Sequence, residues 1–150
     1  MDMDFIKADS TYTRELRNMA HSSEAYWGYE QSFMAIFDRV FNITDDFIKN
    51  NPVYIGVDND NILCFWGAIC KGDTCELEYF YVSPQQINKG LGKVMWKNFI
   101  SWCSTNQIKQ ISFVTSEEAI GFYEKMGALL VGKAFSSIDN RPIPKFELQL

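Results

Sequence analysis

The chain contains one histidine, His21, in 150 residues, which argues against a zinc site built on imidazole ligands. Cys64, Cys70, Cys75 and Cys103 include no Cys-x-x-Cys pair. Three of them fall in segments that read as sheet, so all four are expected as reduced thiols in or near the core. Cys103 as a nucleophile would lack a partner, because His21 lies far away in sequence. No apolar run approaches the roughly 18 to 20 residues of a membrane span. The start Met1-Asp2-Met3-Asp4 also lacks the basic residues of a signal peptide, so the expected compartment is the cytoplasm, where the Asn42-Ile43-Thr44 sequon carries no meaning. A basic excess is missing too. With 14 Lys and Arg against 19 Asp and Glu, the net charge of -5 argues against non-specific nucleic-acid binding and is compatible with a cationic amine substrate. No repeat, low-complexity stretch or Pro/Gly linker divides the chain, so its length and its 47% hydrophobic content point to one packed domain, residues 1–150.

The periodicities present predict a mixed α/β order. A strand at about 4–8 precedes helical stretches at about 11–23 and 29–41, and Thr44 is placed to cap a short helix through Lys49. Strands at 53–57, 62–70 and 74–82 are joined by the Asp58–Asn61 and Lys71–Asp73 turns, which reads as an antiparallel meander. A helix after residue 90 buries the stripe Leu91, Val94, Met95, Phe99, Trp102 and Cys103. A strand at 110–114 follows, and then a helix for which Thr115-Ser-Glu-Glu118 fits a capping box and Gly127 a stop. Strands at 129–135 and 145–149, flanking a loop with Asp139–Pro144, close the chain.

The most informative run is Glu78-Tyr-Phe-Tyr-Val-Ser-Pro-Gln-Gln-Ile-Asn-Lys-Gly-Leu-Gly-Lys93, where a strand breaks at Ser83-Pro84 and re-enters a helix through Gly90-Leu91-Gly92. A helix N-terminus offers unpaired N–H groups and the positive end of a dipole, and glycine leaves room for a phosphate. A Walker A loop is excluded, because one residue separates the glycines and Lys93-Val94 follows them. A dinucleotide fingerprint is excluded by Met95 and by the absence of the later acidic residue.

Ile87-Asn88-Lys89-Gly90-Leu91-Gly92 resembles the coenzyme A pyrophosphate loop of the GNAT acyltransferase superfamily, Gln/Arg-x-x-Gly-x-Gly/Ala, with Ile87 in place of Gln or Arg. Residues 116–127, Ser-Glu-Glu-Ala-Ile-Gly-Phe-Tyr-Glu-Lys-Met-Gly, resemble the family's later motif Asn-x-x-Ala-x-x-Phe-Tyr-x-x-x-Gly-Phe, with Ser116 for Asn and Ala128 for the final Phe. The order of elements matches as well. The resemblance implies the acyl-CoA N-acyltransferase fold, a mostly antiparallel mixed sheet of about seven strands flanked by helices. It also implies acetyl-CoA as the acyl donor, with no metal. Cofactor contacts carry over to Val82, Ile87, Asn88, Lys89, Gly90, Leu91, Gly92, Lys93, Ser116 and Phe122. Val82 does so through backbone pairing with the pantetheine arm, which the family's splayed fourth and fifth strands imply.

Acyl transfer to an amine needs a proton acceptor for the amine and a proton donor for the departing thiolate. The resemblance places Tyr123 as the donor, the alternative being a packed helix face. Glu76 and Glu78 alternate with Leu77 and Tyr79, so period-two geometry sets both carboxylates on one face about 7 Å apart. Glu78 is the chosen base, against a solvated face or a water relay. Tyr26 and Trp27, within an aromatic segment from His21 to Phe33, together with Glu76 and Arg141, are the candidate acceptor contacts. The expected activity is N-acetylation of a primary amine of a small molecule by direct transfer in a ternary complex. Two alternatives stand beside it, a peptide or protein acceptor and a non-catalytic CoA-binding sensor or interaction domain. The expected partner is the small-molecule amine, with a homodimer compatible and neither nucleic acid nor membrane.

Overall fold

The computed structural model describes residues 3–150, so half of the acidic start, Met1 and Asp2, lies outside the described residues. Seven strands form one sheet in the order β1-β2-β3-β4-β5-β7-β6. They span β1 Asp4–Lys7, β2 Val53–Asp58, β3 Asn61–Lys71, β4 Thr74–Val82, β5 Gln110–Val114, β6 Leu129–Phe135 and β7 Pro142–Gln149. Short turns make β2 to β4 an antiparallel meander, as the turn residues require, and β1 pairs at its edge antiparallel to β2 once the chain has passed through three α-helices. Only β4 and β5 are parallel, because a helix carries the chain between them.

Helices α1 Thr13–Ala25, α2 Gln31–Val40 and α3 Asp45–Asn50 cover one face of the sheet, and α4 Leu91–Thr105 and α5 Ile120–Lys125 cover the other. Thr44 caps α3 as expected, its hydroxyl accepting from the Phe47 amide at 3.0 Å. The central strand β3 is buried on both faces, sending Phe65 towards α1–α3 and Cys64, Trp66 and Ala68 towards α4. No helix among the described residues is long and apolar enough to cross a membrane.

Four local expectations change. In α4 the inward stripe contains Trp96, while Val94 is 46% exposed, because Trp96 fills the space between Phe80, Phe99 and Phe113. The capping box before α5 does not form. Residues Glu117–Ala119 make a 3-10 turn, and the Ser116 N-cap has no side-chain bond to the helix. Strand β7 begins three residues early at Pro142, since Pro142 and Pro144 occupy positions where the ring's missing N–H is tolerated, and the Pro144 carbonyl still accepts from the Thr115 amide. Finally, Cys70 and Cys75 are not free thiols. They face each other across the β3–β4 hairpin with Cα atoms 4.1 Å apart and form a disulfide, whereas Cys64 and Cys103 are buried thiols.

Candidate active site

Two features of β4 open the molecule. Its parallel pairing with β5 extends only from Thr74↔Gln110 to Glu76↔Ser112, although β4 continues on β3 as far as Val82↔Cys64 and β5 continues on β7 to Val114↔Lys145. The two strands therefore part beyond Glu76, leaving the β4 edge from Leu77 to Val82 without a strand on that side. The second feature is a β-bulge. Gly67 pairs with Tyr79 and the next residue, Ala68, with Leu77, so Glu78 has no partner across the strand. Leu77 faces the α4 layer while Tyr79, two residues on, faces the α1–α3 layer. Simple alternation across Glu76 and Glu78 is thereby broken.

A cleft of about 730 Å³ fills this opening. One end is the loop before α4. Gly90 adopts φ +81° with open space around its Cβ position, which frees the helix N-terminus for close approach. The first bond into the helix is from the Val94 amide to the Gly90 carbonyl, so the amides of Leu91, Gly92 and Lys93 have no carbonyl partner among the described residues. No acidic residue sits in that first turn, and Lys93 lines the cleft beside it. Gly92 is small for a different reason: a Cβ there would stand 3.2 Å from the Phe122 ring.

Of the sequence-derived residues, Val82, Ile87, Asn88, Gly90, Gly92, Lys93, Ser116 and Phe122 line the cleft, as do Glu76, Glu78, Tyr123, Trp27 and Arg141. Three do not. Leu91 is 3% exposed and turned into the core, as its place in the apolar stripe of α4 dictates. Lys89 is exposed outside the lining, and Tyr26 packs edge-on against Trp27 instead, with ring centroids 5.1 Å apart.

Tyr123 sits in an aromatic box of Phe80, Trp96, Phe113, Phe122 and Phe146, the closest ring centre 4.5 Å away. Burial raises its phenol far above the usual value, with the Thr115 side chain partly opposing. The group is a protonated phenol throughout the neutral range. Glu78 is half-buried and its carboxyl is also raised, first by burial and then by the charge of Glu76.

The chain matches the model of the Acetyltransferase (GNAT) family over residues 13–128. It belongs to the GNAT acetyltransferase family. Solved structures share the fold at low identity. The PaiA N-acetyltransferase of Thermoplasma acidophilum, solved with coenzyme A, superposes with a TM-score of 0.81 at 14% identity over 100% of both chains. The ribosomal-protein-S18-alanine N-acetyltransferase of Escherichia coli gives 0.76 at 13% identity, over 99% of this chain and 94% of that one. An IAA acetyltransferase of Bacillus cereus gives 0.73 at 12%, over 99% and 100%. No curated protein sequence matches significantly.

In this GNAT chain, the cleft residues that sequence reasoning missed include Tyr81 and Glu24. Tyr81 packs between Phe37 and Phe65, and burial holds its phenol well above the usual range. Glu24, in the last turn of α1, is pushed up to about 7, first by burial and then by the charge of Glu118, with Arg141 opposing. Both stand in runs that read as ordinary amphipathic helix and strand. Only the folding of α1 across the β4 opening brings them to the cleft.

Proposed function

We propose that the chain transfers an acetyl group from acetyl-CoA directly to a primary amine of a small molecule in a ternary complex. The observation that carries this reading is the parting of β4 and β5 over a helix N-terminus whose amides are free, with the Tyr123 phenol facing the same cleft. The residues present fit the donor. The α4 amides with Lys93 suit a pyrophosphate, and the unpaired β4 edge near Val82 suits an amide-bearing arm. Acetyl-CoA supplies a thioester carbonyl with a thiolate leaving group.

The protein's own groups then handle two protons. Glu78 takes one from the incoming ammonium, directly or through water, and its raised carboxyl is a stronger base than an ordinary glutamate. The amine nitrogen bonds to the carbonyl carbon as the C–S bond breaks, and Tyr123 gives its proton to the departing sulfur. The acylated nitrogen then sheds its second proton to solvent as the Tyr123 phenolate regains one, and Glu78 releases the proton it took, so one proton is released per turnover. Because burial disfavours the phenolate, the donor stays a neutral, protonated phenol until sulfur develops negative charge.

Free-thiol release from acetyl-CoA across a panel of small amines and short peptides tests this. Release with small amines is expected. A signal confined to peptides would move the acceptor to the peptide class, and CoA binding without release on any amine would leave a CoA-binding module.

A further inference from the structure

The acceptor half of the cleft holds a carboxylate that the transfer scheme leaves unused. Glu24 lines the cleft beside Ser23 and Trp27, and its carboxylate forms neither a hydrogen bond nor an ion pair among the described residues. No fully buried side-chain oxygen lacks a partner among those residues, so the Glu24 oxygens are open to the cleft. The groups facing it are Glu118 before α5, Arg141 from the β6–β7 connection, Tyr29 between α1 and α2, and Tyr81 on β4.

The one cation among these neighbours is already engaged. Arg141 donates from Nη2 to the Tyr29 hydroxyl at 3.1 Å, and its guanidinium lies 5.2 Å from the Tyr29 ring centre and 5.5 Å from that of Phe33. Its Nε stands 3.6 Å from Asp139. Tyr29 in turn donates to Glu118 at 3.0 Å. Arg141 is thereby held as part of the cleft wall, its guanidinium engaged by Tyr29, Phe33 and Asp139. An acceptor entering here meets Glu24, Glu76, Glu78 and Glu118, and an apolar wall of Phe33, Phe37, Val40 and Phe41. The remaining cleft cation, Lys93, stands at the α4 end.

We propose that Glu24 is a specificity-determining residue that holds a second, unreacting ammonium of the acceptor, making the acceptor class an aliphatic diamine or longer polyamine. This rests on the transfer reading for the first amine. A half-buried carboxylate without a partner is satisfied by an ammonium through a charge-assisted hydrogen bond, and the methylene chain between two amines matches the apolar wall. A monoamine leaves Glu24 unpaired and an amino acid adds a repelled carboxylate, so both are rejected by the same physics. Because Glu24 ionises near 7 in the free protein, an ammonium beside it displaces a proton, and diamine affinity rises from pH 6 to pH 8.

The test is calorimetric binding of 1,4-diaminobutane, butylamine and 4-aminobutanoate to the wild-type chain, Glu24→Gln and Glu24→Asp, with thiol release from acetyl-CoA measured in parallel. The wild type should bind the diamine at least about tenfold tighter than butylamine, with 4-aminobutanoate weakest. Glu24→Gln should collapse the diamine preference and its rise with pH, and Glu24→Asp should restore part of both. Equal wild-type affinity for diamine and butylamine overturns the assignment without any variant, as does a preference that survives in Glu24→Gln. Thiol release with butylamine but no diamine preference sinks the role of Glu24 and leaves the transfer reading standing. Glu24-dependent diamine binding without thiol release supports that role and removes the transfer reading.

Discussion

At Tyr123 the transfer scheme separates from a packing role. Five aromatic rings surround the side chain, so the ring has a structural task, and Tyr123→Phe keeps that ring while deleting the hydroxyl. Turnover is expected to fall roughly 100-fold with acetyl-CoA affinity preserved, as for loss of a general acid. Unchanged turnover at a pH where chemistry is limiting would reassign Tyr123 to packing. Gly92 carries a graded expectation. Gly92→Ala brings a methyl to 3.2 Å from the Phe122 ring, closer than ordinary van der Waals contact, so the ring must give by a few tenths of an ångström and acetyl-CoA binding should weaken a few-fold. Gly92→Glu adds bulk and negative charge at the helix N-terminus and should abolish it. Calorimetry on both folded variants is the measurement, and wild-type affinity in Gly92→Glu would remove this loop from the donor site.

Among the elements, the sequence was most legible where one local pattern decides the outcome. Turn residues placed the β2–β4 meander, Thr44 placed the start of α3, and Gly90 marked the break before α4. The illegible parts depend on neighbours distant in sequence. Trp96 enters the core in place of Val94 because Phe80 and Phe113 leave it a space, and no spacing rule within α4 reveals that. The Glu78 bulge is a mismatch between two strands, so alternation read along β4 alone cannot contain it. The Cys70–Cys75 pair shows the same limit, since the spacing around a four-residue turn becomes a bond only once the hairpin register sets the two residues opposite. That bond closes a short loop, so breaking it by Cys70→Ser with Cys75→Ser should cost about 2 kcal/mol in denaturant unfolding. Alkylation of the unfolded, unreduced chain should label Cys64 and Cys103 alone. Labelling at all four positions would show that the pair stands reduced.

Across the whole molecule, the cleft gathers carboxylates that folding leaves poorly compensated, and this fixes the sign of the pH dependence of stability. Glu24 ionises at about 7 in the folded chain and Glu78 is also raised, whereas both ionise near the ordinary value of 4.5 once unfolded. Between those limits the folded state holds protons that the unfolded state has released, so stability falls as pH rises through the window. The carboxyl of Glu118 is lowered, burial being outweighed by its hydrogen bonds and by Arg141, and acts in the opposite sense only at more acid pH. The neutral range therefore belongs to Glu24. Removing its charge with Glu24→Gln should stabilise the protein at pH 8 by about 2 kcal/mol, the shift reduced for its partial exposure. That corresponds to a thermal midpoint roughly 4 to 8 °C higher. The gain should vanish towards pH 5, where the wild-type carboxyl is already neutral. Thermal midpoints of both proteins at pH 5, 6.5 and 8 are the measurement, and parallel curves would show that Glu24 is not desolvated in solution. A rise in stability on losing this charge would mean that the cleft keeps Glu24 at the expense of folding, as expected of a group whose partner arrives with the acceptor.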